Sequence, residues 1–535
     1  MASNLDRSKD KFAIPISGPT TGNVWRIVNY DSDIIAIHAA LIANGKVLFF
    51  AGSQADSQAH KQGYVNAARY WNPQTNIVEV VPAPLDIDLF CCGHVLLGNG
   101  DLLAAGGTEF YVNDPHGRGR FTGIRNCAIF SPFDSLSRFP WRTVASMNFE
   151  RETNPPRGGG RWYPTLVLLG DERVLAIGGA SSSDSDYENN IMLEVFENGS
   201  PGKWIDQGRQ SDVNFVGGSG DLDYPRAFLL PNGNVFVVHV YDGTIGFSHE
   251  WNPVSRAWRT YLNTPGPIYD YSPAVLLPLL PSLNYNARVL IAGGKSPKKI
   301  DLSLENPQWV DTSPRKLENA PLRLNSSAIL LPDGKVLVVG GVPDKLHDES
   351  ALASHTNVAE LYDPSTDSWQ NLAEANVIRN YHSVALLLPD GSVWTAGSNK
   401  NTDPSWKDDV GGVPNPKFDR RELRIEIYYP PYWKLIRPAI SSIDNPSMSY
   451  NTPIRIFTSK TTSISSVALI RCSTATHALN PDQRFIGLVI HERDFESIIV
   501  NPPPSQNIAP PGYYMLFIID DGNVPSPGKI VSLSA

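Results

Sequence analysis

Pro332-Asp333-Gly334-Lys335-Val336-Leu337-Val338-Val339-Gly340-Gly341 is a tight turn, a run of four aliphatic residues, and a stop of two glycines. The same phrase begins at Asn44-Gly45-Lys46-Val47, Asn99-Gly100-Asp101-Leu102, Asp171-Glu172-Arg173-Val174, Asn232-Gly233-Asn234-Val235, Asn286-Ala287-Arg288-Val289 and Asp390-Gly391-Ser392-Val393. Several copies end as this one does, at Gly106-Gly107, Gly178-Gly179 and Gly293-Gly294. A turn feeding a β-rich run, repeated at roughly 50 to 70 residues, is the pattern of a β-propeller in which each repeat is one blade. Seven copies predict seven blades.

A second phrase follows each turn: alternating apolar residues, an aromatic, then Asn, Asp or Ser before Pro. Examples are Ala68-Arg69-Tyr70-Trp71-Asn72-Pro73, Ala128-Ile129-Phe130-Ser131-Pro132 and Glu360-Leu361-Tyr362-Asp363-Pro364. Period-two runs broken by proline turns read as outer strands of a blade, and their tryptophans as packing between blades. Almost no segment has a sustained helical period, so the chain reads as all-β. Asn23-Val24-Trp25-Arg26-Ile27-Val28 precedes the first repeat and is placed to close the ring by joining the last blade. The repeat stops after Pro431-Tyr432, and several short alternating runs separated by Asn, Ser and Pro turns follow. They predict an immunoglobulin-like (E-set) β-sandwich. The expected division is an N-terminal tail over 1–22, the propeller over 23–432 and the sandwich over 433–535.

With 535 residues, 41% of them hydrophobic and 19% charged, the composition is that of an ordinary globular protein. A formal charge of −9 and the absence of a basic run argue against a nucleic-acid partner. No stretch approaches the ~20 apolar residues of a membrane-spanning helix. Met1 to Phe12 is polar and lacks the apolar stretch of a signal peptide, so the chain reads as cytoplasmic, or as extracellular if it is a mature form with a new first Met. A monomer is expected. The four cysteines, two of them adjacent as Cys91-Cys92, are too few for a disulfide framework.

The repeat also acts as a ruler. At a constant offset before each turn, where the innermost strand of a blade begins beside the axis, stand Ala36, Cys91, Tyr163, Tyr224, Asn325 and His382, the last preceded by Tyr381; the fifth repeat cannot be registered. Equivalent positions lie around one axis, so a Cys, several Tyr and a His are expected to converge at one mouth of the channel. His477 stands in the last domain, within Thr474-Ala475-Thr476-His477-Ala478-Leu479-Asn480-Pro481-Asp482-Gln483-Arg484. Two His and two Tyr make a mixed nitrogen and oxygen set that suits Cu(II). Taken alone, Cys91 reads equally as a small buried hydrophobe or as half of a vicinal disulfide with Cys92.

At Asp88-Leu89-Phe90-Cys91, Arg161-Trp162-Tyr163-Pro164-Thr165, Tyr381-His382-Ser383 and His477 to Arg484, the chain resembles the copper-radical oxidases, the galactose oxidase and glyoxal oxidase family. Pro511-Gly512-Tyr513-Tyr514-Met515-Leu516-Phe517 is similar to that family's C-terminal domain. The resemblance implies a kelch-type propeller with one copper ion held by Tyr163, Tyr381, His382 and His477. It implies a thioether between Cys91 and Tyr163, since the family's Phe-Cys-x-Gly pattern falls on Phe90-Cys91-Cys92-Gly93 and selects Cys91. It also implies oxidation of a small aldehyde hydrate or a primary alcohol by O2, with release of hydrogen peroxide. Galactose oxidases stack a Trp over the thioether shortly after the Gly-Gly of blade three. Here Gly178-Gly179 is followed by Ala180-Ser181-Ser182-Ser183, so no ring is expected over Tyr163 and a galactose pocket is not favoured. Tyr224 and Asn325 are candidates for lining the substrate mouth, or for structural roles at the same register.

Overall fold

A computed structural model describes residues 19, 21–53, 68–82, 87–110, 121–133, 140–186, 189–209, 223–238, 247–261, 272–294, 296–317, 322–342, 357–399 and 421–534. The expected tail over 1–22 lies outside the described residues except for 19, 21 and 22.

Each repeated turn joins the two innermost strands of a sheet. The Asn or Asp carboxamide or carboxylate accepts the backbone N–H two residues on, as from Lys46 to Asn44 (3.1 Å), Asp101 to Asn99 (3.0 Å), Asn234 to Asn232 (3.0 Å) and Ser392 to Asp390 (2.9 Å). Gly follows at φ between 81° and 88° at Gly45, Gly100, Gly233, Gly334 and Gly391, a conformation that costs a residue with a Cβ more than it costs glycine. The two strands that flank each turn are largely buried on both faces. Examples are His38–Leu41 with Val47–Phe50, and Thr165–Leu168 with Val174–Ile177, all buried. Outer strands such as Val78–Val81 and Trp141–Val144 are buried only at their ends. That gradient from a dry centre to a half-wet rim follows from stacking sheets face to face around an axis.

Among the described residues, seven antiparallel four-strand meanders are supplied by residues 24–429. The inner strand Thr165–Leu168 touches both Gly93–Leu96 and Arg226–Leu229, and Ser383–Leu387 touches both Ser327–Leu330 and His38–Leu41. Between Arg226–Leu229 and Ala274–Leu276, Arg226 Nε donates to Ser272 O at 3.1 Å. The ring closes as the sequence predicts: Val24–Asn29 pairs antiparallel with Ile425–Tyr429, so the last sheet takes its outermost strand from the start of the chain. Large rings fill the seams, among them Trp71 and Trp394, fully buried with ring centroids 6.3 Å apart. Each such burial contributes roughly 1.5–3 kcal/mol.

The C-terminal residues form two further sheets, one built on Ile454–Phe457 and Ser497–Val500, the other on Ile464–Arg471, Gly512–Asp520 and Lys529–Ser534. From this sandwich one segment enters the propeller. Thr474–Thr476 pairs antiparallel with His38–Leu41 and becomes a fifth strand on the inner edge of the first sheet. The residues that follow satisfy backbone groups that the other inner edges would leave unpaired. Asp482 Oδ2 accepts Leu96 N–H (2.9 Å), Gln483 accepts Leu330 N–H (3.0 Å) and donates to Ala328 O (2.8 Å), and Arg484 donates to Leu229 O (2.9 Å).

Burial raises the Asp482 carboxyl from 3.8 to about 6, with Arg471 and two hydrogen bonds pulling the other way. The folded chain therefore binds this proton more tightly than the unfolded chain. Stability from this group is present below pH 3.8 and is lost as pH rises through about 6, by on the order of 3 kcal/mol. Asp482→Asn keeps an acceptor for Leu96 N–H and is expected to flatten that part of the stability profile. Chemical denaturation at pH 4 and pH 7 checks this outcome.

Candidate active site

Five of the six ruler positions, all but Ala36, share an unusual backbone. Cys91 (φ 63°), Tyr163 (63°), Tyr224 (42°), Asn325 (60°) and His382 (63°) are all left-handed, a region that side-chain-bearing residues rarely adopt. Such conformations cost about 1–3 kcal/mol each and persist only where surroundings impose them. At each position the chain turns into its inner strand. Glycine guards the approach: Gly397 (φ 71°) lies where a Cβ would meet His382 O at 2.4 Å.

Three of the turns are braced by a buried arginine. Arg161 Nη1 donates to Gly178 O (2.7 Å), Arg323 Nη2 to Gly340 O (2.8 Å), and Arg379 Nη1 to Gly397 O (2.5 Å). Each arginine thus ties the start of an inner strand to the glycine stop of its own sheet. Arg161 is paired with Glu194 (2.9 Å) and Arg323 with Glu360 (2.7 Å), all fully buried. The sequence carried this signal as Arg two or three residues before Tyr163, Asn325 and His382, a recurrence absent from the expectations above.

His477 arrives from the sandwich on a two-residue turn. Thr476 and Leu479 exchange backbone hydrogen bonds (2.9 and 2.7 Å), and His477 and Ala478 between them have φ of 44° and 60°. Positive φ at both central residues is the turn type that matches the twist of a hairpin. Thr476 Oγ1 donates to Ile37 O (3.0 Å) and so accepts from His477 Nδ1 (2.6 Å). That places the proton on Nδ1 and leaves Nε2 as the lone-pair nitrogen. His382 is oriented likewise, with Nδ1 on Asn399 Oδ1 at 3.0 Å.

The expected residues come together. Ligating atoms of Cys91, His382 and His477 lie within 4.8 Å of one another. The hydroxyls of Tyr163 and Tyr381 are hydrogen-bonded to each other, and the His477 ring is 4.8 Å from those of Tyr163 and His382 and 5.3 Å from that of Tyr381. The Cys91 thiol lies against the Tyr163 side chain, and Tyr163 N–H donates to Cys91 O (2.9 Å). Cys91 and Cys92 are both free thiols, which removes the vicinal disulfide. Burial pushes the Cys91 thiol well above its usual range and holds His477 well below its own, with the neighbouring His382 and His38 adding to the latter. The imidazole of His477 is therefore neutral, as a metal ligand must be.

Tyr224 is fully buried; its ring stacks on Tyr163 (4.5 Å) and its hydroxyl donates to Cys92 O (2.9 Å). Asn325 is buried at the same register. One expectation is overturned. A ring does cover Tyr163: Trp162 stacks on it at 3.7 Å and 10°, and Phe121 stacks on Trp162 at 4.9 Å and 19°. Consecutive strand residues normally face opposite ways, but the left-handed turn at Tyr163 breaks the alternation and lays the two rings together. Trp162, Phe121 and Tyr381 are partly exposed, whereas Tyr163, His382 and His477 are buried, so access to the cluster lies on that side.

Residues 27–432 match the model of the glyoxal oxidase N-terminus. The chain belongs to the glyoxal oxidase family. Residues 437–533 match the galactose oxidase-like, early set domain. Within this setting, the glyoxal oxidase family chain is 26% identical over 495 residues to an aldehyde oxidase of Vitis pseudoreticulata, covering 86% of this chain and 84% of the relative. It is 25% identical over 524 residues to a galactose oxidase of Gibberella zeae, covering 94% of this chain and 70% of the relative. A fungal alcohol oxidase solved in complex with copper has the same fold, with a TM-score of 0.74 at 20% identity over 97% of this chain and 99% of that one.

Proposed function

We propose that this chain is a copper-radical oxidase that oxidises a small aldehyde, as its hydrate, or a primary alcohol with O2 and releases hydrogen peroxide. The observation that carries the reading is the convergence of Cys91, Tyr163, Tyr381, His382 and His477, delivered by three propeller sheets and the sandwich, at one point. We take residues 23–432 as the propeller and 433–535 as the sandwich that supplies His477.

The donor set fits copper: two imidazoles, each with its other nitrogen hydrogen-bonded, and two phenol oxygens in contact. Tyr163, Tyr381, His382 and His477 would hold the ion, which when bound supplies one of the two oxidising equivalents. The second resides on Tyr163. A thioether from Cys91 to its ring delocalises the unpaired electron and makes the phenol easier to oxidise. Tyr381, the partly exposed phenol, takes the proton from the substrate hydroxyl. The oxidised Tyr163–Cys91 unit then takes the hydrogen atom from the adjoining carbon. Dioxygen accepts two electrons and two protons and leaves as hydrogen peroxide.

The Trp162 ring shields that radical face from water. Trp162→Ala is expected to lower turnover about 10-fold, the scale of one aromatic stacking contact, while copper content and thioether formation stay unchanged. Peroxide release measured beside copper content and intact mass checks it.

Peroxide yields from methylglyoxal, glycolaldehyde, galactose and benzyl alcohol with copper-loaded protein test the function itself. The reading predicts the highest yield with one of the two aldehydes. A highest yield with galactose or benzyl alcohol selects the alternative, a galactose or other primary-alcohol oxidase. No peroxide from any of them favours a non-catalytic kelch scaffold that binds a protein partner.

A further inference from the structure

Beside the candidate active site lies a second cluster. His38, on the inner strand of the first sheet, meets Cys92 and His94 at the start of the second, and their ligating atoms lie within 4.8 Å of one another. His38 and Cys92 are 0% exposed and His94 is 3% exposed. The cluster adjoins the first one: Cys91 N–H donates to His38 Nε2 (3.2 Å), and the rings of His38 and His477 are 5.9 Å apart.

Each imidazole has one nitrogen in a well-formed hydrogen bond. His94 Nε2 is bonded to Ala39 O (3.4 Å), and His38 Nε2 takes the Cys91 N–H. The Nδ1 atoms of both rings are buried with no hydrogen-bond partner. Two enclosed polar nitrogens carry a desolvation cost that native interiors nearly always remove by supplying a partner. The existing bonds assign the protons. His94, donating from Nε2, presents a bare lone pair at Nδ1; His38, accepting at Nε2, carries its proton on Nδ1. Burial pushes His94 down to about 4 against the backbone carbonyls of Ala39 and Ala475, and burial with the neighbouring His94 and His382 holds His38 well below its usual range.

We infer that Cys92 and His94 form a second, buried metal site for Cu(I), with His38 as a neighbouring N–H donor to the sulfur. Soft thiolate selects Cu(I). Binding displaces the thiol proton, and a monovalent ion with one thiolate and neutral imidazoles leaves no net charge, the condition under which a buried ion is tolerated. A divalent ion would leave a positive charge in a dry interior, and Zn²⁺ in a structural site asks for four ligands where the cluster offers three at most. The site is independent of the oxidase reading, because it uses none of the residues assigned to the catalytic ion.

The test is anaerobic titration of the metal-free full chain with Cu(I) against a colorimetric Cu(I) chelator, with X-ray absorption at the copper edge. A Cys91→Ser background removes the adjacent sulfur and leaves Cys127, the other thiol near Cys92, in every variant. The expected result is uptake of a second equivalent and a sulfur neighbour to copper in Cys91→Ser, both lost in Cys91→Ser/Cys92→Ser, with the second equivalent also lost in Cys91→Ser/His94→Gln. Loss of an equivalent in Cys91→Ser/His477→Ala with retention of the sulfur signal would separate this site from the catalytic one. Equal uptake by Cys91→Ser and Cys91→Ser/Cys92→Ser overturns the inference, and so does copper without sulfur in Cys91→Ser, which would leave water as the occupant of the cluster. Because that last measurement is made on the Cys92-containing protein, it decides the matter even if the double variants fail to fold.

Discussion

Tyr163→Phe and Cys91→Ala are each expected to lower peroxide release by about 1,000-fold or more, the scale reached when an enzyme loses a group that itself reacts. The two variants should fail for related reasons. Phe at position 163 removes the oxygen that would bind copper and the phenol that would be oxidised. Ala at position 91 leaves an unmodified phenol that is harder to oxidise. Both side chains are buried and of near-native volume in the variants, so thermal unfolding should shift little. Steady-state peroxide assays with the best of the four test compounds, read beside a melting curve, separate lost chemistry from lost fold. Full activity in both variants would end the radical mechanism for this chain.

Glu194→Ala is the substitution with the largest expected cost in stability among those near the site. Its carboxylate is the buried partner of Arg161, whose guanidinium is also bonded to Gly178 O and Met192 O (both 2.7 Å). Removing one member of a buried pair leaves an uncompensated charge, at about 3–5 kcal/mol. The cost falls where it also affects chemistry, because Arg161 is followed directly by Trp162 and Tyr163. Denaturant unfolding should show the loss. The double variant Arg161→Met/Glu194→Leu, which removes both charges and keeps the volume, should recover most of the stability but not the bond that ties this turn to Gly178.

Much of the site was legible because the repeat is a ruler. Constant spacing before each turn placed Cys91, Tyr163 and His382 at one register, and their shared left-handed backbone shows that they are equivalent in three dimensions as well. The closing strand, Val24–Asn29, was legible because it precedes the first repeat and a propeller must close its ring. The ring over Tyr163 was missed because it was sought after Gly178-Gly179, whereas Trp162 is the residue before Tyr163 and is laid on it by a positive φ that leaves no mark on residue type. Asp482, Gln483 and Arg484 gave no hint that they would satisfy three different inner edges. Their partners are backbone groups of strands far away in sequence. The cluster of His38, Cys92 and His94 escaped notice for a similar reason, since only the seam between the first two sheets brings His38 to Cys92 and His94.

The central claim is that this fold builds its own cofactor from Cys91 and Tyr163, and intact mass tests it most directly. Metal-free protein is weighed, supplied with copper and O2, and weighed again, with a parallel sample held without O2. The account predicts a product lighter by two hydrogens only where both are present, with the linked peptides containing Cys91 and Tyr163, and with the same loss in Cys92→Ser but none in Cys91→Ala. An unchanged mass in protein that nevertheless releases peroxide, or a cross-link that persists in Cys91→Ala, would contradict it.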